Sequence, residues 1–168
     1  MEKFKNQSNG ISLISLVITI IVLIILGTIT INSGSKMIKK VKLEELRTNM
    51  LLIQGKAKEY VEEANFKMGI NPDEEKKASV RTEVYETQGK LKVGTSVSSD
   101  LIPSEIPVSE CYVLDEDTFN DWGLDKIDLD EDEYYLVKFD EANEQVEVYN
   151  SLGYNGVYSL TEIDSIEE

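Results

Sequence analysis

The sequence predicts an α+β fold: one long N-terminal helix, apolar in its first part and amphipathic in its second, carrying a small antiparallel β-sheet. Three observations point there. Residues 11–31 contain no charged side chain. Residues 32–66 continue without proline and repeat apolar residues at steps of three and four, the spacing of one helix face. Near the C-terminus, residues 134–139 and 145–150 are rich in aromatic and β-branched side chains and flank a polar five-residue turn at 140–144, which reads as a hairpin.

The uncharged run comes first. At 1.5 Å of rise per residue its 21 residues span roughly 32 Å, close to the ~30 Å hydrocarbon core of a bilayer. A cleaved secretory signal needs only about 7–15 apolar residues followed by a small-x-small site. This run is longer, and Ile31 interrupts the small residues that follow it. Two readings remain: a permanent membrane anchor, or a helix stored in the membrane that later packs against copies of itself.

The amphipathic continuation places Ile38, Val41, Leu46, Met50, Ile53, Ala57, Tyr60 or Val61, and Ala64 on one stripe. Lysines, arginine and glutamates fill the intervening positions. With no proline in residues 11–66, one helix is expected throughout, with Gly27 or Ser33-Gly34 as the places for a bend.

In the head, Asn71 as cap, Pro72 in the first turn and Asp73, Glu74 and Glu75 near the positive end of the dipole predict a helix through about Gln88. Val80, Thr82, Val84 and Tyr85 also suit a strand. Residues 89–110 read as a connecting loop, and residues 111–114 as a short strand. Asp115 is placed to cap a short helix through about Trp122, stopped by Gly123. After the hairpin, Gly153 and Asn155-Gly156 mark turns before a last strand at 157–160.

The residues around the start of the apolar run carry a resemblance. Asn9-Gly10-Ile11-Ser12-Leu13-Ile14-Ser15-Leu16-Val17-Ile18, preceded by Lys3 and Lys5, resembles the leader junction of type IV pilins and pseudopilins. In that family a short basic leader ends in Gly, a prepilin peptidase cuts after it, and the new N-terminal residue is methylated. The resemblance, specific over residues 3–31, implies cleavage between Gly10 and Ile11 and methylation of Ile11. It also implies a division into a leader (1–10), a transmembrane and filament-core helix (11–31), its amphipathic continuation (32–66) and an acidic α+β head (67–168). Two positions depart from the family: Ile11 stands where Phe or Met is usual, and Ser15 stands where Glu is usual. In the family that Glu pairs with the charged N-terminus of a neighbouring subunit inside the apolar core, where an unpaired ammonium is costly. Ser15 brings no charge. The chain is then a minor or tip subunit, a member of a branch that assembles without the pair, or a plain anchor.

Charge near the run conflicts with this topology. Lys3 and Lys5 lie before it and Lys36, Lys39, Lys40 and Lys42 after it, so the positive-inside rule places the head in the cytoplasm. The resemblance implies a head outside the cytoplasm, and the reading follows the resemblance. The four lysines then face lipid phosphates or carboxylates of neighbouring subunits.

The net charge of −15 is unevenly distributed. Residues 100–168 hold 21 acidic side chains against Lys126 and Lys138 alone, whereas residues 36–67 hold eight basic and five acidic groups. Such a head repels phosphate, which argues against direct nucleic-acid binding. The ordinary reading is a solvated exterior surface. The sharper one is calcium, with Asp128, Asp130 and Asp132 as candidate ligands and Asp115, Asp117, Asp121 and Asp125 upstream. An EF-hand loop starting at Asp128 is excluded, because Glu133 and Phe139 occupy the positions that need Gly and Glu.

The chain contains no His, so it lacks the commonest general base and the commonest zinc ligand. Its one cysteine, Cys111, reads as a small strand residue and has no partner for an intramolecular disulfide. No phosphate loop or nucleotide fingerprint appears. The expectation is a non-enzyme without a cofactor: a structural subunit of a pilus-like, secretion or DNA-uptake filament. Its expected partners are copies of itself or other pilins, the prepilin peptidase, the assembly platform and membrane lipid. It would begin as a single-pass membrane protein and end in an extracellular filament. The alternative is a membrane-anchored extracellular interaction protein that does not polymerise; a cytoplasm-facing anchored regulator is the third reading.

Overall fold

The computed structural model describes residues 13–97, 101–140 and 145–166. The chain divides into two compact units, Met1–Val41 and Lys42–Glu168. It is α+β: a long helix α1 (Leu13–Met68) and a five-stranded antiparallel sheet in the order β1-β2-β3-β4-β5. Those strands are β1 (Lys92–Val93), β2 (Tyr112–Leu114), β3 (Tyr135–Asp140), β4 (Gln145–Tyr154) and β5 (Val157–Ser159).

Within the second unit the helical stripe forms as expected. Met50, Ile53, Ala57, Val61 and Ala64 are buried, joined by Leu43 and Met68, while Leu46 and Tyr60 pack at the margin. Each large side chain buried this way contributes about 1.5–3 kcal/mol. These residues pack with Tyr135, Val137, Val146 and Val148, the inward positions of β3 and β4. Strand alternation sends Leu136 to the opposite face, where it meets Ile102, Ile106, Cys111 and Val113. The sheet is therefore covered on both faces, by α1 and by the 101–111 segment. Gln54 ties the helix to the sheet directly, its Nε2 donating to Val146 O at 2.8 Å. Ile38 and Val41, expected on the same stripe, are exposed instead: they precede the second unit, and the sheet packs on later turns.

After Gly69, with φ +73°, helix α2 (Glu74–Arg81) begins. Its cap is Asp73 rather than Asn71: Asp73 Oδ1 accepts from Lys76 N at 2.7 Å, while Asn71 sits in the left-handed region at φ +56°. Asp73 is the cap because the helix starts at Glu74 and Asp73 has the extended backbone a cap needs (φ −73°, ψ 168°), which the left-handed Asn71 does not. The strand alternative for Val80 to Tyr85 is overturned. Residues Thr82–Gln88 form a π-helical segment that buries Val84 and Tyr85, and Gly89 ends it. The expected loop at 89–110 holds more order than its glycines and prolines suggest, with β1 and 3-10 turns at Gly94–Ser96 and Val108–Glu110. Gly94 is required there: a Cβ would run into the carbonyls of Val108 and Cys111.

Helix α3 (Glu116–Asp121) matches its expected signals. Asp115 Oδ1 accepts from Thr118 N at 3.0 Å, and Gly123 takes φ +69° after Trp122. β3 and β4 pair from Tyr135↔Asn150 to Asp140↔Gln145, the expected hairpin. β4 runs on past the expected stop at Gly153, because the ladder takes an irregular register there. Buried Asn150 supports it by accepting from Leu152 N and Gly153 N. Asn155 (φ +52°) and Gly156 (φ +80°) then make a two-residue turn into β5. The last strand is shorter than expected. Ser159 caps a final helix α4 (Leu160–Asp164), and Arg47 Nη2 of α1 donates to Ile163 O and Ile166 O, both at 3.1 Å. A guanidinium on those carbonyls satisfies acceptors that a helix end otherwise leaves open.

Candidate functional site

The processing residues Gly10 and Ile11 lie outside the described residues. Ser15 lies on α1, with only its backbone described. Within the run 11–31 the described apolar side chains are Ile18, Ile20, Ile21 and Leu23, each about half exposed. Among the described residues no helix is long and apolar enough to cross a membrane, and most side chains of this run lie outside that set.

The calcium candidates are not assembled into a site. Among the described residues no three carboxylate or thiol groups converge as ligands, and Asp128, Asp130 and Asp132 are exposed. The reason is visible in the turn. Glu133 spends its carboxylate on Asp130 N at 2.9 Å and on Asn150 Nδ2 at 2.5 Å, and Asp132 sits at φ +65°. Upstream, Asp115 pairs with Lys92 and Asp121 with Lys90, so these acids are neutralised across the fold. Burial alone would push the Asp115 carboxyl up, but the Lys92 ammonium and the Thr118 hydrogen bonds outweigh it and hold the group below its ordinary value. A depressed folded pKa means the unfolded chain binds the proton more readily. The contribution of Asp115 is present above about pH 4 and is lost as pH falls through the folded value. The melting-temperature gap between the native chain and Asp115→Asn is therefore expected to narrow between about pH 5 and pH 3.

Cys111 is buried beside β2, and burial pushes its thiol up to about 12. It stays protonated at neutral pH and is walled off by Ile102, Ile106 and Leu136.

What the second unit leaves open is the face of α1 turned away from its sheet. Leu51 and Leu52 are 47% and 51% exposed, and Phe66 is 88% exposed. With 3.6 residues per turn, these positions and Gly55 fall on the side opposite Met50, Ile53, Ala57 and Ala64. Gly55 is exposed, and a Cβ built on it meets nothing within 4 Å. Thr48, Lys58, Glu59 and Glu62 share or border this face. The periodicity of the core stripe hid it from sequence reading. Leu51 and Leu52 sit between core positions and pass for its margin.

A cleft of about 610 Å³ lies where the π-helical segment meets the ends of β2 and β3, lined by Arg81, Tyr85, Tyr112 and Phe139 among others. Tyr85 and Phe139 stack with ring centroids 4.1 Å apart and planes 5° apart, and Tyr112 tilts against both. No signal in the sequence brought these residues together. They come from three separate elements, and each reads alone as core.

Compared with protein-family models, curated proteins and solved structures, the chain matches none of them.

Proposed function

We propose that this chain is a type IV pilin-like structural subunit, inserted through residues 11–31, cut after Gly10, methylated at Ile11 and assembled by packing of its long helix. The observation that carries the reading is the two-sided helix of the second unit. One face is buried under its own sheet, while Leu51, Leu52 and Phe66 stay apolar and uncovered on the other. Leu51 and Leu52, with Phe66 roughly 20 Å further along the helix, are uncovered apolar side chains on a face that also carries Lys58, Glu59 and Glu62, and they offer a partner separate anchor points. The resemblance at the leader junction supports copies of the chain, or other pilins, as that partner. On this reading the prepilin peptidase, an assembly platform and membrane lipid are its other contacts. The head stands outside the cytoplasm and then on an extracellular filament, and the protein is not an enzyme.

Mass analysis of the mature N-terminus tests this. Loss of residues 1–10 with a methylated Ile11 is expected, and Gly10→Leu should leave the leader in place. An intact terminus, together with no polymer released by shearing cells, would overturn it. Ser15 favours the second reading, a membrane-anchored extracellular interaction protein without a polymer, because it cannot offer a buried N-terminal ammonium a countercharge. That reading expects an uncut leader and no effect of Gly10→Leu.

A further inference from the structure

The cleft beside Phe139 marks the place where the sheet stops short. β2 pairs with β3 only over Tyr135–Val137, in the register Tyr112↔Val137 to Leu114↔Tyr135, whereas β4 pairs with β3 as far as Asp140. On the β2 side the chain leaves the ladder at Cys111. The 3-10 turn Val108–Glu110 redirects its donors, Glu110 N–H to Pro107 O at 2.9 Å and Cys111 N–H to Val108 O at 3.2 Å.

Strand geometry then says which groups are left. Ser151 N–H donates to Tyr134 O at 2.9 Å, so the main-chain groups of residue 134 point toward β4. Orientation alternates along an antiparallel strand. Residues 136 and 138 therefore also face β4, and residues 135, 137 and 139 face β2. The N–H and C=O of Phe139 are thus aimed at the edge where β2 has turned away.

The lining agrees with this. Lys138, Phe139 and Asp140 all contribute to the cleft although consecutive strand residues point to opposite faces. Only a cavity that wraps the strand's edge receives all three. The floor is the stacked pair Tyr85 and Phe139, and the rim carries both signs of charge: Arg81, Asp140, and the ion-paired Lys138 and Glu110. The volume lies in the range of ordinary ligand sites.

We infer that this cleft binds a short extended peptide that continues the line of β2 along β3, exchanging main-chain hydrogen bonds with Phe139 and resting an aromatic or β-branched side chain against the Tyr85–Phe139–Tyr112 cluster. Edge addition draws affinity from main-chain bonds and specificity from pockets for alternate side chains, and this cleft offers both. The surrounding head is strongly acidic, so its field selects a peptide of neutral to positive net charge. The π-helical segment has a role here: it carries Tyr85 into the stack on Phe139, while Arg81, the last residue of α2 just before it, stands at the rim.

The test uses the full-length chain in lipid nanodiscs as bait for a display library of random linear peptides. The best binder is then synthesised in native form and with alternate amides N-methylated, which keeps every side chain but removes main-chain donors. Enrichment of peptides with an aromatic or β-branched residue is expected. So are slowed hydrogen exchange at the Phe139 amide and binding about tenfold or more weaker after N-methylation, the effect of losing one or two such bonds. Lys138→Ala, at the rim, should change the affinity while leaving the melting temperature within a few degrees. An empty selection, equal binding of the N-methylated peptide, or protection that spares Phe139 would each overturn the proposal.

Discussion

Trp122→Ala is expected to lower the stability of the second unit by about 3–5 kcal/mol, the usual cost of deleting a large buried aromatic side chain. Trp122 is 4% exposed and stands at the C-terminal end of α3. Its ring stacks on Tyr60 of α1 at 5.2 Å, and its Nε1 donates to Gly89 O at 3.1 Å. One side chain thus joins the long helix, the end of the π-helical segment and the loop that carries the acidic residues. Removing it leaves a cavity at a three-way junction and an unsatisfied carbonyl, in a domain whose total margin is only about 5–15 kcal/mol. Trp122→Phe separates the two contributions. It keeps an aromatic face on Tyr60 and loses the hydrogen bond, so a loss of about 1–2 kcal/mol is expected. In a double-mutant cycle with Tyr60→Ala the pair should show coupling of about 0.5–1.5 kcal/mol. Thermal or denaturant unfolding of the full chain in detergent measures all three. A Trp122→Ala variant as stable as the native chain would mean that the stack carries no energy.

Much of the fold around this junction is legible in the sequence, and the reasons are physical. Asp115, Gly123 and the spacing from Met50 to Ala64 are local signals. A cap, a left-handed stop and a helical period each act within a few residues, and each appears where expected. The hairpin of β3 and β4 is similarly local, since its strands are separated by one short turn. Val80 to Tyr85 was ambiguous because β-branched and aromatic residues suit strands. Burial of Val84 and Tyr85 under the sheet decided for a helical segment, a tertiary effect that propensity does not contain. The same limit applies to β1: two residues become a strand only because Lys92 and Val93 find Val113 and Tyr112. Leu160 suits the end of the last strand, yet β5 stops at Ser159, whose hydroxyl accepts from Glu162 N and caps α4, so Leu160 opens that helix instead. Of the site residues, Cys111 reads as a small strand residue from its company of Tyr112 and Val113; it is buried, but β2 begins one residue later, at Tyr112. The alternating carboxylates at Asp128, Asp130 and Asp132 suggested a metal that their splayed, exposed geometry does not serve. The uncovered face of α1 and the edge of β3 were invisible for one reason. Both are defined by what fails to pack against them.

Gly55 offers the sharpest separation of folding from assembly, because its two expected effects have opposite signs. Glycine in a helix interior costs roughly 0.5–1 kcal/mol relative to alanine, through the extra freedom of the unfolded chain. Nothing in the described fold requires it: the residue is exposed on α1 and a Cβ would have open space around it. Gly55→Ala is therefore expected to raise stability by about 0.5–1 kcal/mol, a shift of a few degrees in melting temperature. Gly55→Gln should also leave the melting temperature at or above the native value, since glutamine is a good helix former. The same glycine lies one turn from Leu51, Leu52 and Glu59 on the uncovered face, where a small residue lets another helix approach closely. If copies of the chain pack there, the glutamine side chain holds them apart, and the polymer released by shearing should fall by about tenfold or more, equivalent to ~1.4 kcal/mol per contact. Stability and assembly would then move in opposite directions from one substitution, which no general loss of folding can imitate. A Gly55→Gln chain that is processed, folded and assembled at the native level would remove this face from the filament and leave the glycine without a function.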